Sequence, residues 1–422
     1  MKQYTIINKS CLDAMDEMDE NSVDCIITDP PYEINFMSKK WDNTGIAFDV
    51  NTWKKAFRVL KPGGYLLAFN HSRTFHRMAV AIEDAGFQIR DTIMWLYGSG
   101  FPKSHNISKA IDKKLGFEPT NTGVESPNAR PNSLKENNLY EAGTVGKDFN
   151  ITKPTSKEAK QWEGWGTALK PAYEPIILSR KPIEKSVANN VLKYGVGGIN
   201  IDECKIKTDV SDISGRFPSN LILDGSDEVV SGFPETSKST GGRIGNKGSD
   251  LNMMGTNYQK GDAGFGDSGS ASRYFYTAKT SKKDRNEGLD FRESEITTDG
   301  RNVPIDNAFL RGKTKRKNIH PTVKPTDLMQ YLIRLVAPKG ATILDIFMGS
   351  GSTGKAAMLE NVERNANYHF IGIELEKKYC DIAKARIDWA INYKDIEIEK
   401  SEKRMFEGKE AKQLNIFEML GV

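Results

Sequence analysis

The chain has 422 residues, 38% hydrophobic and 27% charged, with a formal net charge of +4. That length suits two or three domains, or one large α/β unit with insertions, and the composition is not that of a disordered chain. The net charge does not by itself point to nucleic acid, no apolar run approaches a membrane span, and four scattered cysteines without a CxxC argue against a disulfide scaffold or a cysteine zinc site. The first residues carry no secretory apolar segment, so a cytoplasmic location is expected.

Taken in order, the first hundred residues alternate strand and helix. Strands are predicted near 4–7, 23–28, 65–69 and 89–97. Helices are predicted over 11–19, with Leu12, Met15 and Met18, over 50–60, with Trp53, Ala56, Phe57 and Leu60 on one face, and over 73–85, capped by Gly86. Asp29-Pro30-Pro31 ends the second strand, because two prolines bar regular structure. Pro62-Gly63-Gly64 is expected to turn the chain. Short apolar strands alternating with helices predict a mostly parallel sheet covered on both faces.

Residues 98–171 are polar and read as an inserted loop region. Its Lys103, His105, Lys109, Lys113 and Lys114 suit phosphate contact, and Trp162 and Trp165 follow. A strand is expected over 173–178. From 181 to 319 short apolar islands such as Leu221-Ile222-Leu223 sit among polar segments. Residues 241–270 hold nine glycines, which predicts loop. Arg273-Tyr274-Phe275-Tyr276 is a strand candidate, and 311–317 is a basic run. Regular structure resumes with a helix over 326–337, a strand over 342–346, a helix opening near Thr353, a strand over 369–373 and a helix over 376–390. The simplest layout is one α/β domain, 1–180 and 320–394, split by 181–319 and followed by a charged tail, 395–422.

The turn from Asp345 to Lys355 joins a strand to a helix, where glycines let backbone N–H groups approach a ligand. It matches GxxxxGK, but Ala356 stands where a P-loop needs Ser or Thr for magnesium. The other reading is an adenosyl pocket. Glu374, closing the next strand, is placed to accept both ribose hydroxyl protons. Asp345 would repel a pyrophosphate but pair with a cationic group, and S-adenosylmethionine carries an ammonium and a sulfonium. A plain structural turn is the third alternative. Asp29-Pro30-Pro31-Tyr32 follows a buried strand and places a carboxylate and a carbonyl side by side. Two acceptors suit an exocyclic NH2 group, whose nitrogen is a poor nucleophile until its hydrogens are accepted. Tyr32 offers a ring face to a planar base. Taken alone, this turn too reads as structural.

Together these residues resemble the DNA amino-methyltransferases in which the catalytic motif precedes the cofactor motif (the beta arrangement). The resemblance implies catalysis by Asp29, Pro30, Pro31 and Tyr32. It implies cofactor contacts from Asp345, Phe347, Gly349, Gly351, Ser352, Thr353 and Glu374. Lys324, within His320-Pro321-Thr322-Val323-Lys324-Pro325, falls in a segment around the methionine end, and Ser10 and Cys11 fall at the adenine side. Ile346 stands where relatives often have proline, and Lys9-Ser10 where many have Gly-Asp. Asn70 fits an intermediate motif. The implied fold is a seven-stranded Rossmann-like sheet with one antiparallel strand, the insertion reading DNA sequence. The implied reaction is methyl transfer from S-adenosylmethionine to a base flipped from double-stranded DNA, with no metal. Asp in the first motif position favours adenine N6 over cytosine N4. Phe36 and Trp41 are candidates for the base pocket or the core. RNA methylation and an inactive DNA-binding homologue are the rival readings. No endonuclease motif stands out, dimerisation is common in this arrangement, and DNA as substrate implies association with the nucleoid. Near the end, Gln413-Leu414-Asn415-Ile416-Phe417 resembles a bacterial sliding-clamp binding peptide, with packing on the enzyme's own surface as the alternative.

Overall fold

The computed structural model describes residues 3–34, 42–98, 100, 104–118, 120–125, 150–208, 215–238, 267–278, 281–297 and 314–394. Phe36, Trp41, Lys103, most of the glycine-rich stretch and the tail with Gln413–Phe417 lie outside them. The described residues fall into two compact units, one made of 3–98, 173–297 and 314–394, the other of 100–172.

Among the described residues of the larger unit, nine strands form one sheet. They are β1 Tyr4–Ile7, β2 Val23–Thr28, β3 Leu60–Phe69, β4 Gln88–Leu96, β5 Tyr173–Arg180, β6 Leu221–Leu223, β7 Tyr276–Thr277, β8 Thr342–Asp345 and β9 His369–Ile373. Their order in space is β1-β9-β8-β2-β3-β5-β4-β6-β7. All run one way except β5, which is antiparallel to both neighbours. Seven of these strands are those expected from sequence. The other two come from the stretch 181–319, whose described residues belong to the same unit as the sheet rather than standing apart.

The helices α1 Cys11–Asp16, α2 Val50–Val59, α3 Phe75–Asp84, α4 Val187–Tyr194, α5 Lys282–Asn286, α6 Thr326–Val336, α7 Ser352–Arg364 and α8 Lys377–Ile391 accompany the sheet. One apolar cluster joins Cys25, Ile27, Leu67, Ile343 and Phe370 to Leu332, Ala357 and Ile387 of α6, α7 and α8. A second joins Ile26, Leu66 and Leu344 to Met15, Trp53, Ala56 and Met78 of α1, α2 and α3. Cys25 and Ile27 thus face one layer and Ile26 the other. That is why β2 reads as an unbroken apolar run rather than an alternating one.

Two expectations are corrected. Pro62-Gly63-Gly64 does not turn the chain; it lies inside β3, whose register against β2 shifts between Val23 and Cys25. Gly63 has φ +79°, and a Cβ on Gly64 would meet the Asp24 carbonyl at 2.8 Å, so the glycines serve an irregular, closely paired strand. Asp24 ties β2 to both neighbours, through Lys61 Nζ at 2.6 Å and the Thr342 N–H at 2.7 Å. The segment expected as a strand over 273–276 is instead a 3-10 turn, Ala271–Tyr274, followed by the two-residue β7. Arg273 is drawn aside onto Asp267, with Nε 3.0 Å from Oδ2.

In the smaller unit a helix, Ile107–Leu115, is capped by Asn106 and followed by an antiparallel pair of strands, Thr120–Glu125 with Asn150–Lys153. Its organising group is buried Asp112, which accepts hydrogen bonds from the Thr155 and Ser156 N–H groups at 2.8 and 3.0 Å. Trp162 and Trp165 pack edge to face at 5.2 Å and remain exposed.

Candidate active site

β2 and β8 are neighbours, so the turn after Thr28 and the loop after Asp345 leave the sheet side by side at the carboxyl ends of parallel strands. That is the usual ligand-binding edge of an open α/β sheet.

Asp29 and Tyr32 converge with two residues from elsewhere in the chain. The Tyr32 hydroxyl lies 2.9 Å from Asp29 Oδ1 and 3.2 Å from Glu174 Oε2. Lys324 Nζ donates to Asp29 Oδ2 at 2.7 Å and to the Tyr32 oxygen at 3.0 Å, and stands 3.4 Å from Glu174 Oε2. Its ammonium also lies 4.9 Å from the Phe69 ring centre. Burial alone would push the Lys324 ammonium down, but Asp29 and then Glu174 more than offset it and hold the group above its ordinary range. Burial raises the Glu174 carboxyl despite Lys324. Burial, Asp29 and Glu174 raise the Tyr32 phenol well above its ordinary value, so it stays a neutral donor. The turn is fixed from behind: the Thr74 hydroxyl lies 2.8 Å from both the Tyr32 carbonyl and Oδ1 of buried Asn70. Asp42 accepts from the Glu33 and Ile34 N–H groups at 2.9 and 3.2 Å.

The second half is the loop from Asp345 to Thr353. Asp345 Oδ1 accepts from Thr28 at 2.7 Å and from the Phe347 N–H at 3.1 Å, and Oδ2 from Thr353 at 2.6 Å. Burial nevertheless raises its carboxyl to about 7. Gly349 has φ +54°, and a Cβ there would meet His320 Nε2 at 2.7 Å; Gly351 has φ +75° and faces Ala383 in the same way, at 2.8 Å. Only glycine allows both the positive φ and this close packing of the loop. The Gly349 N–H donates to Glu374 Oε2 at 2.9 Å, and the Glu376 N–H to Oε1 at 2.8 Å. Each Glu374 oxygen keeps a lone pair for a further donor such as a ribose hydroxyl. His320 Nδ1 lies 2.6 Å from the Thr322 carbonyl, and burial lowers the ring to about 4, so the imidazole is neutral.

Asp29 and Tyr32 therefore meet at one end, and Asp345, Gly349, Gly351, Thr353 and Glu374 at the adjoining loop. Ser352 opens α7 and is buried. Lys324 stands on Asp29. Ser10 caps α1, accepting from the Leu12 N–H at 3.3 Å, and Cys11 is a buried thiol that burial raises to about 12. Their turn reaches the Glu374 corner through Asn8, which donates to the Glu374 and Leu375 carbonyls at 2.9 and 2.8 Å. Glu174 was not singled out from sequence. Its one signal is a lone acid at the head of the apolar run Pro175-Ile176-Ile177-Leu178. Lys355, the would-be phosphate lysine, is buried against Asp284 at 2.6 Å and Glu287 at 2.8 Å, which leaves the P-loop reading without its cation. Among the described residues no group of three or more His, Cys, Asp or Glu is arranged to hold a metal ion, and no helix is long and apolar enough to cross a membrane.

A family model for DNA methylases matches residues 23–385. The type II methyltransferase M.HindIII of Haemophilus influenzae is 23% identical over 239 residues, covering 46% of this chain and 64% of that protein. M.BglI of Bacillus subtilis is 42% identical over 74 residues, 18% of this chain and 20% of that protein. The chain thus spans less than two thirds of the length of either relative. Among solved structures, the complex of M1.HpyAVI with SAM is 16% identical with a TM-score of 0.36, over 91% of this chain and 99% of that one. The cytosine-N4-specific PvuII DNA methyltransferase is 12% identical with a TM-score of 0.41, over 92% and 86%.

Proposed function

We propose, from the premise that this chain belongs to the DNA methylase family, that it transfers a methyl group from S-adenosylmethionine to the N6 amine of adenine in double-stranded DNA. The observation that carries the reading is the Asp29 carboxylate at the end of β2, adjoining a glycine cradle closed by Glu374. The residues suit the cofactor: Gly349 and Gly351 let the loop bend tightly against His320 and Ala383, Glu374 keeps free lone pairs, and Asp345 offers a carboxylate to a cation. When bound, the cofactor supplies an electrophilic methyl group.

The protein's own part is to prepare the nitrogen. Asp29 accepts a hydrogen bond from the amine, which draws the lone pair out of conjugation and toward a tetrahedral nitrogen. Before the base arrives, Tyr32 and Lys324 hold that carboxylate in place. A paired base must first leave the helix, at a cost of a few kcal/mol. Asp rather than Ser before Pro30 supports adenine over cytosine.

The test is methyl transfer from labelled S-adenosylmethionine to genomic DNA free of adenine methylation, mapped by long-read sequencing. Wild type is expected to place N6-methyladenine in one short motif. Asp29→Ala is expected to lose about 10²–10⁴-fold in rate, the scale of a lost acid–base contact, while binding the cofactor as before. N4-methylcytosine would move the assignment to the other base. Unmodified DNA beside intact cofactor binding would overturn it.

A further inference from the structure

Both oxygens of Asp29 already face donors of the protein, the Tyr32 hydroxyl at 2.9 Å and the Lys324 ammonium at 2.7 Å. An ammonium so close draws electron density from the carboxylate and weakens it as acceptor for another N–H. The same ammonium has a second carboxylate 3.4 Å away, that of Glu174. Glu174 stands on β5, opposite Trp95 of β4. Asp29, Tyr32 and Lys324 all lie on other segments, so a change of charge at 174 leaves their backbones alone.

We propose that Glu174 is a positioning residue, a second anchor onto which Lys324 moves when the target amine takes its place on Asp29. The inference rests on the methyltransferase reading above and names what makes its acceptor available. As the amine arrives, the Lys324 ammonium shifts toward Glu174, and the Tyr32 hydroxyl turns its proton to Glu174 Oε2, 3.2 Å away. No bond is made or broken and no proton changes owner. With glutamine at 174 the ammonium has one carboxylate left, and the amine must compete with it. A merely structural contact would survive that exchange, because glutamine keeps the length and the acceptor for Tyr32.

The experiment measures single-turnover methyl transfer and cofactor affinity for wild type, E174Q, K324M and the double variant. E174Q is expected to slow transfer about 10²-fold, the scale of a misplaced contact, with cofactor affinity unchanged. In the K324M background the same exchange should add little, because Glu174 acts through Lys324. The groups facing Glu174 are Asp29 and Tyr32 from the turn after β2, Lys324 from the segment before α6, and Tyr97 at the end of β4. With cofactor saturating at every pH, so that the Asp345-dependent affinity does not enter, protonating Glu174 in wild type strands Lys324 on Asp29 and the rate falls as pH falls; E174Q should lack this acid limb. Should E174Q fail to bind cofactor, E174D carries the test, with the limb kept at a reduced rate. A wild-type rate and profile in E174Q, equal losses in both backgrounds, or an E174D without the limb would overturn the proposal. If wild type methylates no DNA, the functional reading fails instead; an active wild type with a dead Asp29→Ala and an unaffected E174Q sinks only this inference.

Discussion

Asp345 has three hydrogen-bond donors and still ionises only near pH 7, because burial, joined by the charge of Asp29, outweighs them. A carboxyl raised above its unfolded value of about 3.9 favours the folded state fully below that value. It gives this contribution up as pH rises through about 7. A cationic ligand favours the ionised form, so its affinity runs the other way. The dissociation constant for S-adenosylmethionine is expected to fall about tenfold between roughly pH 6 and 8, and Asp345→Asn should flatten the change. Calorimetric titration at several pH values checks it; a flat wild-type curve would mean the cation pairs elsewhere. Asp345 and Asp29 were legible in the sequence because each follows a strand and heads a turn that few residue combinations permit. Glu174 was not. Its meaning depends on β5 lying between β3 and β4 and on Lys324 arriving from 150 residues downstream, which no local pattern encodes.

The most consequential contact between elements away from the site is the one made by α5. Asp284 accepts from Lys355 of α7 at 2.6 Å and from the Thr326 N–H of α6 at 2.9 Å, and it also binds the Thr326 hydroxyl. Glu287 is the second partner of Lys355, at 2.8 Å. One short helix from the polar stretch thus holds both α6 and α7. Lys355→Met leaves Asp284 with only the more distant Arg386, at 3.9 Å, as a cation and is expected to cost about 3 kcal/mol, the lower end of the scale for breaking a buried pair. Urea unfolding checks this; a loss under about 1 kcal/mol would mean that Arg386 or water takes over the carboxylate. The seven main strands and six of the eight flanking helices were legible from apolar runs and spacing, while α4 and α5, within the polar stretch, were not. β6 and β7 were not, since two or three residues carry no periodicity, and the start of β3 was hidden by a Pro-Gly-Gly that ordinarily breaks a strand.

Across the whole molecule, β8 and β9 lie between β1 and β2, although they come from the far end of the chain. The adjacency of Asp29 and Gly349, 320 residues apart, was expected through the resemblance alone; composition and spacing did not supply it. A chain cut after residue 338 would leave β1 without a partner and β2 with an open edge. It is expected to be digested at least about tenfold faster than the full chain, since open edges and exposed apolar faces raise the unfolded population. Equal digestion rates would mean that the remaining strands close up without β8. The same strand order governs events on the ribosome. At roughly 5–20 residues per second, about 15–60 seconds separate the emergence of β2 from that of β8. Throughout that interval the nascent chain carries an apolar strand whose rightful neighbour has not yet been made. The yield of folded chain is therefore expected to depend on translation speed and chaperone supply as well as on the stability of the finished fold.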